Sequence, residues 1–260
     1  QKPTSGRGMT SLVSFLGRAN YNLMNKYLFT ASFRRDGSSK FAPGNKWSNF
    51  ASGAIAWRAS EEQFIKDLNL FSNLKFRASY GQTGNQAIGA YATRDYLTVA
   101  NYPINGALSS GFANLTWRGP ANPDLKWETT SQYNVGVDMG FLQNRINLTV
   151  DLYYKKTSDL LQNIQIPQST GFSNMTTNFG NVTNKGLEIT GKFYAITGKN
   201  FNWDFAFNFS KIDNYVDKLA PGVSSIMLGG FVDPQVRLSA GDKFPVIYGT
   251  SYQRNEEGQI

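Results

Sequence analysis

Strict alternation of apolar and polar residues, sustained over stretches longer than the strands of ordinary globular proteins, constrains this chain more than any other feature. In the segment YLFTASFRRDGSSKF, Tyr27, Phe29, Ala31 and Phe33 fall on one side of an extended chain, and Leu28, Thr30, Ser32 and Arg34 on the other. Ile146, Leu148, Val150, Leu152 and Tyr154 separate in the same way from Asn147, Thr149, Asp151, Tyr153 and Lys155. Further alternating stretches start near Val13, Ala51, Leu74, Tyr133, Leu187 and Phe201, and a weaker one runs from Val246 to Tyr252. The expectation is an all-β, antiparallel protein.

The connections carry a second signal. Met24 to Lys26, Leu142 to Asn144 and Thr197 to Asn200 are tight, whereas Asp36 to Asn49, Gly84 to Thr130, Lys156 to Thr183 and Ile212 to Pro245 are long. Tight and long take turns. The exception is Ser60 to Asn73, where Ser60 as N-cap, acids in the first turn and Phe64, Leu68 and Phe71 at helical spacing predict one or two turns of helix at the tight-turn end.

Three readings follow. A soluble sandwich or barrel would turn the aromatic face inward, but has no reason to sort its turns by length. A small ring closed by these strands alone would have its interior filled by side chains. A transmembrane β-barrel explains both signals, because about 9–11 tilted residues cross the hydrocarbon, with short turns on one side and long loops on the other. Tyr21, Tyr27, Trp57, Phe141, Tyr154 and Trp203 lie near predicted strand ends on the apolar face, as an interfacial girdle requires. No Lys or Arg falls on the eight apolar faces drawn from these stretches, where one at mid-membrane would cost roughly 2–4 kcal/mol.

Composition narrows the chemistry. The chain of 260 residues has no cysteine and no histidine, which removes thiolates, the commonest metal ligand and the commonest general base. Charged residues make up 17% and aromatics 14%, a balance that leans towards turn-rich β structure. The net charge of +8 suits anionic lipid head groups; its lysines and arginines form no basic helix or nucleic-acid motif, so nucleic acid is not an expected partner. No residue pattern marks a catalytic, cofactor or metal site. GQTGNQAIG from Gly81 lacks the Lys-Ser/Thr of a phosphate loop and reads as a turn.

Five pieces, RRDGSSKF from Arg34, SYGQTGNQ from Ser79, NPDLKWET from Asn122, DLYYKKTSDLL from Asp151 and NFGNVTNKGLEI from Asn178, resemble the SusC/RagA-type TonB-dependent outer-membrane transporters of Bacteroidetes in content and order. Ala51 departs from the family, which often has Pro there, and suits a paired strand better. The resemblance implies an antiparallel transmembrane β-barrel of about 22 strands, of which residues 1–260 would supply about eight to ten from the middle to late part of one barrel domain. Plug, TonB-docking segment and last strands are then expected outside this sequence.

The function implied is non-enzymatic import of oligosaccharides or peptides across the bacterial outer membrane, powered by TonB through a segment absent here. A SusD-like surface lipoprotein would form the lid, and such pairs would assemble two by two; no cofactor is implied. Tyr102, Trp117 and Trp127 are candidates for substrate or lid contact, against an architectural role in the loops. Two alternatives stand beside this reading. One is a soluble or surface-attached adhesin-like β module, and the other a TonB-dependent receptor for iron chelates or cobalamin.

Overall fold

The computed structural model describes residues 8–95, 97–114, 119–219, 222–230, 234–255 and 257. Among these residues fifteen strands occur with almost no helix: β1 (Leu12–Leu23), β2 (Tyr27–Ser38), β3 (Trp47–Arg58), β4 (Phe71–Asn85), β5 (Leu97–Ile104), β6 (Ala107–Asn114), β7 (Glu128–Phe141), β8 (Ile146–Ser158), β9 (Leu161–Gln165), β10 (Asn174–Asn178), β11 (Asn181–Thr197), β12 (Asn202–Lys218), β13 (Ser225–Gly230), β14 (Gln235–Ser239) and β15 (Val246–Tyr248). One turn of helix, α1 (Gln63–Lys66), lies between β3 and β4.

Eight of these strands form one antiparallel sheet in the order β1-β2-β3-β4-β7-β8-β11-β12, each paired with its neighbour in the meander. These are the eight long alternating stretches of the sequence. Among the described residues β1 and β12 do not pair with each other, so the sheet is an open wall and a small self-closed ring is ruled out. Val246 to Tyr252 is not a ninth wall strand. Only Val246–Tyr248 is extended, and it pairs with β14 in a separate three-stranded sheet.

Register explains the two faces. Tyr21, Phe29, Ile55, Ala78, Val135, Leu152 and Leu187 stand opposite one another across seven strands, forming one continuous apolar row. Phe29, Ile55 and Phe205 are 43%, 56% and 52% exposed, so none of the described residues covers this face. Such an array in water would be a large apolar patch. The adjacent residues of each strand point the other way and form a polar face.

The tight turns are stapled together. Lys26 Nζ lies 2.8 Å from Glu62 Oε2, Tyr27 donates its hydroxyl to Glu62 Oε1 at 3.0 Å, and Arg58 Nη1 donates to Asn25 Oδ1 at 2.7 Å. The hydrogen bonds from Lys26 and then Tyr27 hold the Glu62 carboxyl below the usual carboxylate range, and the same bond raises Lys26. Met24, Asn25, Leu142, Gln143 and Asn144 adopt positive φ, the backbone twist that lets so short a turn join two right-twisted strands.

The connection after β3 differs from its helical expectation. Ala59–Glu61 is a 3₁₀ turn, Glu62 rather than Ser60 precedes α1, and no side chain caps it. Phe71 belongs to β4 and packs on Phe141 across the β4–β7 pair, ring centroids 5.2 Å apart. Strand pairing outweighed the helical spacing because Phe71 gains a cross-strand aromatic neighbour that an added helical turn would not have.

The long connections are also more ordered than loops. β2 and β3 extend to Ser38 and from Trp47, shortening the first of them. The next two each contain a hairpin, β5–β6 and β9–β10, and the last contains β13 and β14. At the β5–β6 bend, Asn105 and Gly106 have φ of 51° and 78°. Asn-Gly between extended runs is a strong hairpin signal, and here it is realised.

Candidate functional site

The polar face carries a charge network centred on Arg77. Arg77 in β4, Gly136 in β7 and Asp151 in β8 stand in one register row. Arg77 Nη2 donates to Asp151 Oδ2 at 3.1 Å, passing over Gly136, where a Cβ would stand 2.8 Å from Nη2. Glycine there leaves room for the pair: a Cβ would crowd both the Asp151 carboxylate and the guanidinium, which would have to shift. Arg77 also makes a two-pronged contact with Asp138, Nε to Oδ2 at 2.9 Å and Nη2 to Oδ1 at 3.0 Å. Lys75 Nζ sits 3.0 Å from Asp138 Oδ2, and Thr149 donates to Asp138 Oδ1 at 3.2 Å.

Around this network the face is lined with hydroxyls and amides. Ser32 and Ser52 hydroxyls approach to 2.6 Å, Thr30 donates to Asn20 Oδ1 at 2.9 Å, and Arg18 and Lys155 border the same hollow. Paired charges and small polar groups at this density suit a water-filled interior, although Asp151 Oδ1 is itself buried without a hydrogen-bond partner.

At the loop end the polar face is closed by a small core of Phe41, Phe50, Ile88, Leu125 and Trp127. Four motif pieces converge on it. From RRDGSSKF, Arg34 pairs with Asp36 at 2.9 Å and stands over the Phe50 ring at 5.5 Å, while Lys40 Nζ donates to the Gln86 carbonyl at 3.3 Å. SYGQTGNQ contributes Asn85, whose amide donates to Glu128 Oε1 at 3.1 Å. NPDLKWET contributes fully buried Leu125, and Asn122, whose amide donates to the Thr176 carbonyl at 3.0 Å. NFGNVTNKGLEI contributes Asn178, which accepts from Lys126 N at 2.8 Å and donates to the carbonyls of Lys126 and Asp159. These motifs are joints between loops.

Of the sequence candidates, Trp127 is 5% exposed, packs against Phe41 and Phe50 with ring centroids at 5.4 and 5.8 Å, and donates its indole N–H to the Lys46 carbonyl at 3.0 Å. Tyr102 lies in β5, in register with Ser109 of β6, some distance along the chain from that core. Trp117 lies outside the described residues. Phe41, Phe50, Ile88 and Leu125 were not singled out from the sequence, because they belong to no periodic stretch; their neighbouring motif polar residues were the available clue.

A wall with one dry exposed face, one charged face, tight turns at one end and braced loops at the other defines a segment of a transmembrane-type β-barrel. The chain belongs to the TonB dependent receptor-like, beta-barrel family, whose model matches residues 3–259. It is similar to TonB-dependent receptor P3 of Formosa agariphila, 39% identical over 99% of this chain and 26% of that protein. TonB-dependent receptor SusC of Bacteroides thetaiotaomicron is 37% identical over 95% of this chain and 24% of its own length. Among solved structures, the RagAB peptide importer in its "closed-closed" state superposes with a TM-score of 0.81 at 28% identity, covering 95% of this chain and 28% of that one. The RagAB peptide transporter gives 0.78 at 30% identity, covering 89% and 25%. The chain thus spans about a quarter of the length of these relatives.

Proposed function

We propose that residues 1–260 form part of the barrel wall of an outer-membrane importer, and that the whole protein takes up oligosaccharides or peptides with energy from TonB. The observation that carries this is the register row in which Ile55 and Val135 face outward while, one residue along, Ala56, Arg77, Gly136 and Asp151 face the polar interior. A wall that is oily on one side and ion-paired on the other has lipid and water as its natural solvents. A solved relative titled a peptide transporter supports the peptide class, and a relative named TonB-dependent receptor SusC supports the transporter family.

In this reading the plug, the TonB-docking segment and the remaining wall lie elsewhere in the longer protein, and a SusD-like lipoprotein closes the loop end, with such pairs able to assemble two by two. Tyr102 and Trp117 meet lid or substrate from the loops, and Trp127 serves them from beneath by holding the loops in place.

The test is made on the full-length protein. It should fractionate with the outer membrane, require detergent for extraction and migrate differently in gels before and after heating. Deleting its gene should abolish uptake of one class among a panel of labelled oligosaccharides and peptides. Recovery in the soluble fraction, with no heat-dependent shift, would refute the reading.

A further inference from the structure

The outward face is uncharged over its middle but not at its loop end. There the wall strands run further than the alternation alone indicates, and β11 and β12 bring Lys185, Lys211 and Asp213 onto the same face as Leu187 and Phe209. Lys211 stands about nine residues beyond the start of β12, so at roughly 3.4 Å per residue and a tilt of about 45° it lies on the order of 20 Å above the tight turns. That is close to the height of an apolar band about 25 Å tall, so these lysines sit where hydrocarbon gives way to head groups.

The tyrosines mark the same level. Tyr80, Tyr133 and Tyr154 occupy consecutive positions of one register row, ring centroids 4.8 and 6.3 Å apart, and the row continues into Lys185 and Asp213. Lys185 Nζ stands 5.7 Å from the Tyr154 ring centroid. Below it, Tyr133, Val135, Leu152, Tyr154 and Leu187 line an open groove of about 510 Å³ that ends at Lys185, Lys211 and Asp213.

Charge decides the occupant. Asp213 is already engaged by Lys243, Nζ to Oδ1 at 2.8 Å. One level higher, Asp217 is met by Thr183 at 2.7 Å and Lys156 at 3.8 Å. Lys185 and Lys211, both exposed, form no direct ion pair among the described residues; both act on Asp213 from a distance, so that with Lys243 three ammonium groups face one carboxylate. This excess of positive charge above an apolar groove complements a phosphate above an acyl chain.

We propose that this groove holds a phosphate-bearing, acylated lipid of the outer leaflet, its phosphate between Lys185 and Lys211 and one chain along Val135, Leu152 and Leu187. The proposal rests on the membrane reading above, and it adds a specific lipid site to it.

The experiment uses the full-length protein, purified in detergent, with lipid A carrying a phosphate as probe and the same lipid dephosphorylated as control, read by native mass spectrometry. The unaltered protein should retain the phosphorylated lipid. The double variant Lys185→Gln/Lys211→Gln should retain it roughly tenfold or more less well, while still shifting on heating as a folded barrel. Equal retention by the double variant, or equal binding of the dephosphorylated lipid by the unaltered protein, overturns the proposal. Loss of outer-membrane fractionation by the unaltered protein would instead overturn the reading beneath it.

Discussion

The indole of Trp127 donates to the carbonyl of Lys46 at 3.0 Å, tying the residue that precedes β7 to the one that precedes β3. The bond joins the first long connection to the second across the inside of the loop end. Trp127→Ala removes both this bond and the packing on Phe41 and Phe50, a local cost of about 3–5 kcal/mol for a buried aromatic. Proteolysis between Ala42 and Lys46 should accelerate while the heat-dependent gel shift persists. Unchanged loop protection together with altered ligand affinity would place Trp127 in contact with ligand instead.

Arg77 is held by two carboxylates and permitted by one glycine. Arg77→Met leaves Asp138 and Asp151 facing each other without their shared cation; because the network is partly solvated, the expected cost is about 1–3 kcal/mol, below that of a fully buried pair. Gly136→Ala should cost part of this with every charge retained, since its Cβ would displace the ends of Asp151 and Arg77 from each other. Unfolding midpoints in detergent compare the two. A neutral Gly136→Ala would show that Arg77 has room to move.

Val135 and Asn134 are neighbours in β7 on opposite faces. Arginine at Val135 should cost about 2–4 kcal/mol near mid-membrane, whereas arginine at Asn134 meets the polar interior and should be tolerated. Folding yields into vesicles of a neutral lipid measure the difference directly. Equal penalties would mean that the two faces share one solvent.

The Lys26–Glu62 staple has a definite pH window. Glu62 is held below its ordinary pKa by the Lys26 and Tyr27 hydrogen bonds, so the stabilisation is present above the unfolded carboxylate range and is lost as pH falls through the lowered folded value. Lys26 is raised, so its share persists below its ordinary pKa and disappears only as strongly alkaline pH passes the raised one. Trp57 donates its indole N–H to Glu62 Oε1 at 3.4 Å and reports on the pair. Its indole resonance, assigned with Trp57→Phe, should stay constant through neutral pH and move only in acid. Movement near neutrality would show that Glu62 is not the group titrating.

Much of the wall was legible because lipid and water impose a period of two on every strand that separates them. Phe29 against Thr30 or Val150 against Asp151 can be assigned with no knowledge of neighbours, and Met24 to Lys26 can be read as a tight turn. Phe71 could not be assigned this way: its spacing from Phe64 and Leu68 fits a helix, and only its partner Phe141, far along the chain, makes it a strand residue. The β5–β6 hairpin carries a local signal in Asn105-Gly106, yet it lies inside the connection from Gly84 to Thr130, which by its length alone reads as a loop. Phe41, Ile88 and Leu125 offered no periodic signal at all.

Sequence by itself determined which side of each strand is oily, since that depends only on adjacent residues and the geometry of an extended chain. The tertiary structure decided which strands are neighbours, and so which charges meet. Arg77 reaches Asp151 only because β4, β7 and β8 lie side by side with Gly136 between them, and Lys185 stands beside Asp213 only because β11 pairs with β12. Register is set by turns and long-range pairing together, and no local pattern encodes it.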